Sequence, residues 1–376
     1  MKKEFGLAMV VMALFTVAAC SGKKESAASG GTVAGGKSLN IAIISNVGVD
    51  DGSFTQDCYQ GILAYTKENP NAKARSIKEP DIGKLIDAAS QIVADYDVLV
   101  LPGFQFAAIG SVAVNNPDTK FILVDANPTD KGNTVELANV YAMTFKEQES
   151  GFFAGVAAAL ETKTGKVAVV NGIAFPSNVN YQYGFMAGVN YANKNYGASA
   201  QYLELPSYAG TDVTGAHVGG NYIGAFSDQP TGKVVGNTLI NTGVDVIFVA
   251  AGDSGHGVFA AAKEANSVHV IGVDVDQYDE GANGNTNIVL TSVVKVMNVN
   301  VTHQLEAIGN GSFTGKNELL DSASDSTGYV NTPGRNQLAA NTLAKLEAVA
   351  QRMKKGEIIP PSNFSQGITP TDFPGL

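Results

Sequence analysis

Two aspartates, Asp125 and Asp274, each close a short apolar run: Phe121-Ile-Leu-Val-Asp125 and Val270-Ile-Gly-Val-Asp274. Ligands of open parallel sheets bind beyond the carboxyl ends of the strands, and a carboxylate there can accept from a polar ligand at on the order of 1.5–3 kcal/mol per charged hydrogen bond. A second such place is Ser45-Asn-Val-Gly-Val-Asp50-Asp51-Gly-Ser53-Phe54, after the first apolar run of the body. Ser45 and Asn46 stand at the strand end. Asp50, Asp51 and Ser53 are N-cap candidates for a helix running to about Glu68. Phe54 then puts an aromatic ring in the first helical turn, at the mouth of a cleft. Gly252-Asp-Ser254-Gly255-His256-Gly257 is a Gly-rich strand-to-helix turn whose free N–H groups can meet a ligand oxygen.

Several strings fail as catalytic or metal motifs. The nucleophile elbow G-x-S-x-G needs Gly where His256 stands. Asp274-Val-Asp276-Gln-Tyr278 begins like a calcium loop, yet Tyr278 and Asp279 occupy positions that require an oxygen ligand and then Gly. Neither a G-x-x-x-x-G-K-[ST] loop nor a G-x-G-x-x-G after the first strand is present, so phosphates have no recognised cradle. With 2 Cys and 4 scattered His, neither a disulfide framework nor a zinc site can be built from spacing. A net charge of −10 without a basic block makes a nucleic-acid partner improbable. No catalytic residue, metal or cofactor is expected.

These residues need a scaffold. Continuous, β-branched runs at 39–44, 98–101, 121–124, 167–170, 246–250 and 268–273 read as strands covered on both faces. Leu85, Ile86, Ala89, Ile92 and Val93 mark one face of an intervening helix; Phe152, Val156 and Leu160 mark another. The segment from Asp97 through Gly103 and Asn115 to Asp125 recurs from Asp245 through Gly252 and Asn266 to Asp274, almost in register. The fold class expected is therefore α/β: two similar, doubly wound parallel-sheet lobes around a cleft, with Asp125 and Asp274 facing each other across it. Cys58 falls on a helical face with Ile62 and Tyr65 and reads as a small core residue.

At the start, Lys2 and Lys3 precede an apolar run from Leu7 to Ala19 that is too short to span a bilayer. Val17-Ala-Ala-Cys20 resembles the bacterial lipoprotein box, in which Cys20 is acylated after cleavage. Residues 1–19 are thus read as a signal peptide, and residues 20–36, rich in Ser, Gly, Ala and Lys, as a flexible tether to a bacterial membrane, on its exported side.

Across most of the remaining chain the sequence resembles the basic membrane protein family of bacterial lipoproteins, which includes purine nucleoside receptors that feed ABC transporters. The resemblance rests on Val49-Asp50-Asp51-Gly-Ser53-Phe54 with Gly61, Phe145 to Gly155, Gly165-Lys-Val and Gly184-Phe-Met-Ala-Gly188. It continues in Ala250-Ala-Gly252, Gly272-Val-Asp274-Val-Asp276-Gln277, Thr291-Ser-Val-Val-Lys295 and Gly356-Glu-Ile-Ile-Pro360. It implies a non-enzymatic binding protein of the type I periplasmic form, which crosses between lobes three times. Residues 37–142 and 276–319 would form lobe one, and residues 143–275 and 320–376 lobe two. It also implies a permease partner and a purine nucleoside ligand: adenosine, guanosine or inosine. Asn46 and Asp125 would then contact the base edge, and Gly252, Asp274 and Lys295 the ribose. Phe54 would be one stacking face, and Phe226 the other, with Phe175 and Tyr181 as alternatives. Ser45 stands where the family's nucleoside receptors tend to carry Asp. A receptor for a sugar or another small polar molecule, a surface adhesin, and a nucleoside-cleaving enzyme are the rival readings.

Overall fold

The computed structural model describes residues 38–363 and 367–376. The expected signal peptide, the tether and Cys20 lie outside the described residues.

Two six-stranded sheets carry the chain. In the first, the strands Lys316–Leu320, Val140–Phe145, Lys120–Val124, Val98–Pro102, Asn40–Ser45 and Lys73–Lys78 lie side by side and are all parallel. In the second, the order is Thr327–Tyr329, Val289–Lys295, His269–Gly272, Val246–Ala250, Lys166–Asn171 and Gln201–Tyr202, with only the first of these antiparallel. The two orders match position for position, so the recurrence read from Asp97 and Asp245 extends to the whole lobe. Each of the six apolar runs lies in a strand, and the alternating side chains of a strand feed two cores. Ile41 and Ile43 join Cys58, Ile62 and Met297 on one face of the first sheet, whereas Ala42 and Ile44 join Leu85, Ala89 and Phe106 on the other. Cys58 is fully buried, its Sγ 3.8 Å from Met297 Sδ, and burial holds its thiol well above the usual range.

The chain passes between the sheets after Phe145, after Lys295 and after Leu320. This corrects the expected division. Residues 276–295 are expected in lobe one, yet Val289–Lys295 pairs with His269–Gly272 and Thr327–Tyr329 in the second sheet. The strand Val140–Phe145 likewise stays in the first sheet to its end, beyond the expected boundary at 142. Apolar pattern marks a buried strand without saying which of two similar sheets it pairs with. From Met297 to Asn310 a helix returns to lobe one, its first N–H groups, on Met297 and Asn298, donated to Asp57 Oδ2 at 3.2 and 2.9 Å.

In lobe two, the helices Glu147–Glu161 and Pro176–Tyr196 touch backbone to backbone. A Cβ on Gly155 would lie 2.1 Å from the carbonyl oxygen of Phe185, and one on Gly188 2.2 Å from that of Phe152. This close approach buries nearly all of Glu147–Glu161 rather than the single face its Phe152, Val156 and Leu160 spacing suggests. It also fixes the first residue of that helix, Glu147, at the floor of the space between the lobes.

Candidate functional site

The strand ends of both sheets meet around one cavity of about 590 Å³, lined from lobe one by Asn46, Asp51, Phe54, Phe104 and Asp125, and from lobe two by Phe175, Tyr181, Phe226, Gly252, Asp274 and Lys295. Seven of the eight residues singled out from the sequence thus line this cavity. Ser45 does not. Along its strand Ser45 has the parity of Ile41 and Ile43, so it turns into the core under the helix Phe54–Glu68. There its Oγ accepts the Val47 N–H at 3.1 Å and lies 3.4 Å from Thr55 Oγ1. Ser45 is therefore buried beside the cavity and does not line it.

The loop before that helix is organised by Asp51 rather than Ser53, whose side chain makes no cap bond. Asp51 accepts the N–H groups of Thr55 and Gln56 at 3.0 and 2.9 Å, satisfying orphan donors of the first turn. Burial nevertheless raises its pKa above the usual carboxylate value. With the turn so held, Phe54 projects into the cavity.

At the floor, Asp125 and Asp274 both follow the ends of equivalent strands and both adopt left-handed backbone, at φ 63° and 67°. Such strain in a non-glycine residue persists only where its surroundings over-determine it. Between them lies Lys295, only 2% exposed. Its Nζ is 2.6 Å from Asp125 Oδ2, 3.8 Å from Glu147 Oε1 and 3.9 Å from Asp274 Oδ1. The resemblance groups Lys295 with Asp274; in space its close partner is Asp125, from the opposite lobe. Burial by itself would lower the Lys295 pKa, but the three carboxylates outweigh it and raise the value. The ammonium also sits 4.6 Å from the centroid of the Phe54 ring, a cation–π distance. Asp274 accepts the Tyr181 hydroxyl at 2.9 Å and, mainly through burial, titrates at about 6. Among the described residues Asp125 Oδ1 is buried without a hydrogen-bond partner, an acceptor that a ligand donor would satisfy.

The upper wall is aromatic. Phe175 stands between Phe104, at 5.4 Å, and Phe226, at 6.0 Å, so the three rings run from one lobe to the other. Phe226 lies flat against Gly172, where any Cβ would overlap its ring at 2.2 Å. Tyr181 is committed elsewhere, its hydroxyl on Asp274 and its ring edge-on to Phe248 at 5.5 Å. The sequence reading missed Phe104, whose only signal is its place just after a strand end and Gly103. It also missed Glu147, which reads as an ordinary acidic residue in a first helical turn.

The predicted turn at Gly252 is a single 3-10 turn leading into the helix Gly255–Ala265. His256 there is bonded through Nε2 to Glu280 at 3.2 Å and through Nδ1 to Asp253 at 3.1 Å; the Glu280 bond is the chief cause of a pKa raised to about 9. Both of its ring nitrogens are thereby taken up by carboxylates. At this rim the lobes touch again, Gln277 Nε2 lying 3.4 Å from the Gly52 carbonyl oxygen.

A family model described as ABC transporter substrate-binding protein PnrA-like matches residues 38–206 and 214–363. A Lactococcus lactis protein named ABC transporter nucleoside-binding protein BmpA is 30% identical over 335 residues, covering 84% of this chain and 87% of its own. Basic membrane protein A of Borreliella burgdorferi is 27% identical over 360 residues and covers 95% of both chains. Among solved structures, a solute-binding protein of an ABC transporter system from Aeropyrum pernix superposes with a TM-score of 0.73 at 21% identity, covering 87% of this chain and 94% of its own. At that identity the likeness speaks for the fold.

Proposed function

The chain belongs to the PnrA-like family of ABC transporter substrate-binding proteins, which bind a solute for a permease rather than transform it, and on that premise we propose that its solute is a purine nucleoside. One observation carries this reading: flat aromatic walls and buried carboxylate acceptors line the same cavity. A nucleoside is a flat apolar face with a polar rim and a vicinal diol, and such a ligand wants both. In this reading the base is stacked between Phe54 and Phe226, with Phe175 behind the latter, and its edge bonds to Asn46 and Asp125. The ribose lies over Gly252, Asp274 and Lys295. A nucleotide is disfavoured, because the cavity's lysine is already surrounded by three carboxylates.

Calorimetry with inosine, guanosine and adenosine against free sugars tests the ligand class. Binding of a sugar but no purine, or of neither, sinks it. Phe54→Ala is expected to weaken inosine binding by about 1–3 kcal/mol, the scale of one base–aromatic stack. An unaltered dissociation constant would remove Phe54 from the stacking role.

No helix among the described residues is long and apolar enough to cross a membrane. The attachment we propose is acylation at Cys20, supported by the small residues before it and the polar stretch after it. Cells fed a radioactive fatty acid should label the protein, and Cys20→Ala should abolish the label. An unlabelled wild type overturns the anchor.

A further inference from the structure

At the rim, outside the cavity lining, a row of lobe-two side chains reaches lobe one. Gln277 is fixed on lobe two at both ends: its backbone N–H is donated to Ser292 Oγ at 3.0 Å, and its Oε1 accepts the Val273 N–H at 2.9 Å. A peptide N–H can only donate, so this bond fixes the orientation of the amide and turns Nε2 outward. Two acceptors face Nε2, Glu280 Oε2 at 3.0 Å and the Gly52 carbonyl oxygen of lobe one at 3.4 Å. Glu280 Oε2 is also 3.2 Å from His256 Nε2, while His256 Nδ1 lies 3.1 Å from Asp253, which Gln229 Nε2 holds at 2.7 Å. Ionised carboxylates only accept, so both nitrogens of His256 donate and the ring is a cation between two acids.

Lobe one meets this row with a glycine, and a side chain would not fit. Gly52 has left-handed backbone, φ 73°, and a Cβ there would lie 2.9 Å from His256 Nε2 and 3.1 Å from Glu280 Oε1. The Gly52 N–H is donated within lobe one, to Gln56 Oε1 at 3.1 Å, while its carbonyl is turned toward lobe two. Gly52 stands in the turn that Asp51 organises and that delivers Phe54 to the cavity.

We propose that Glu280 and His256 are positioning residues of the binding site: they aim the Gln277 amide at the Gly52 carbonyl and so hold the Phe54 turn of lobe one against lobe two while a solute is enclosed. Neither lines the cavity, so their effect on a ligand passes through the turn and the Phe54 ring. The grip is modest, one neutral hydrogen bond at 3.4 Å and the contact with a bare glycine. That suits a protein that must reopen to hand over its solute. Loss of such a contact changes a rate by about five- to tenfold.

Glu280→Ala removes the acceptor that aims both neighbours, whereas Glu280→Gln keeps an acceptor oxygen in the same place. The Glu280 side chain is 31% exposed, so neither substitution opens the core. The first measurement uses no ligand. Hydrogen exchange of the backbone amides from Asn46 to Gln56 should be faster in Glu280→Ala than in the wild type, and in Glu280→Gln it should follow the wild type. Equal exchange in all three proteins overturns the proposal.

The second measurement rests on the nucleoside reading and follows inosine by stopped flow. Release from Glu280→Ala should be about five- to tenfold faster than from the wild type, with association little changed, and Glu280→Gln should release near the wild-type rate. A residue that only stabilised lobe two would lower the melting temperature and leave release as it was. An unaltered release rate in Glu280→Ala, or an equal acceleration in Glu280→Gln, overturns the positioning role. If inosine binds none of the three proteins, the nucleoside reading fails and the exchange rates alone decide on Glu280.

Discussion

Lys295→Met is expected to lower the unfolding free energy by about 3–5 kcal/mol at neutral pH, the cost of leaving a buried charge without its partner. The substitution keeps the volume of the side chain but strands Asp125, Asp274 and Glu147 around an apolar tip. Every contact that offsets their desolvation on that side is the one ammonium, at 2.6, 3.9 and 3.8 Å respectively. The carboxyls respond by taking up protons. Asp274, at about 6 with the lysine in place, and Glu147, already raised by burial, both move higher once it is gone. Their raised values mean that the folded variant holds more protons than the unfolded chain, so its stability grows as pH is lowered toward 5. Denaturant titration of wild type and variant at about pH 5 and pH 7.5 measures this. A loss below about 1 kcal/mol at the higher pH, or a loss independent of pH, would contradict the buried-cluster account. Inosine binding should disappear together with the tie between the lobes.

The second large effect separates base from sugar. Asp274→Asn should cost a nucleoside on the order of 1.5–3 kcal/mol, or roughly ten to more than a hundredfold in affinity, while costing the free base far less. Asn keeps an oxygen for the Tyr181 hydroxyl, so the phenol that braces Asp274 stays in place. Asp125→Asn should weaken nucleoside and base together, since Asp125 is assigned to the base edge and its Oδ1 is a buried acceptor with no partner among the described residues. It also breaks the Lys295 pair, so its unfolding curve must be recorded beside the binding data. Calorimetry with guanosine, inosine, 2′-deoxyguanosine and free guanine reads the difference. Equal losses for nucleoside and base in Asp274→Asn would mean that Asp274 does not meet the sugar.

The distance pattern also changes how the site's lysine is understood. The family resemblance places Lys295 with Asp274, both as ribose contacts. In the folded protein, the strand Val289–Lys295 lies beside His269–Gly272 and runs straight into the crossing to lobe one. Its last side chain is thereby delivered to the boundary between lobes, where Asp125 arrives from the other side. Lys295 is thus a contact between lobes as much as a contact for a ligand.

Periodicity and residue type were enough to locate six of the core strands, the helix from Phe54 to Glu68 and the two equivalent aspartates, since each depends on local burial and on strand-end chemistry that a short stretch expresses by itself, but not the buried inner strands Val140–Phe145 and Val289–Lys295. The polar edge strand Lys73–Lys78 and the short antiparallel Thr327–Tyr329 escaped, because an edge strand buries little and its pattern is close to that of a loop. Ser45 showed the limit of reading a site from strand ends: one residue of offset sends a side chain to the opposite face of a sheet, and Asn46 lines the cavity while Ser45 does not. The lobe to which Val289–Lys295 belongs depends on which of two similar sheets it pairs with, and the partners of Lys295, Asp125 and Glu147, lie more than a hundred residues away along the chain. No local pattern encodes such pairings, because charge and hydrophobicity state what a residue needs, and the packing of the two sheets selects which neighbour supplies it.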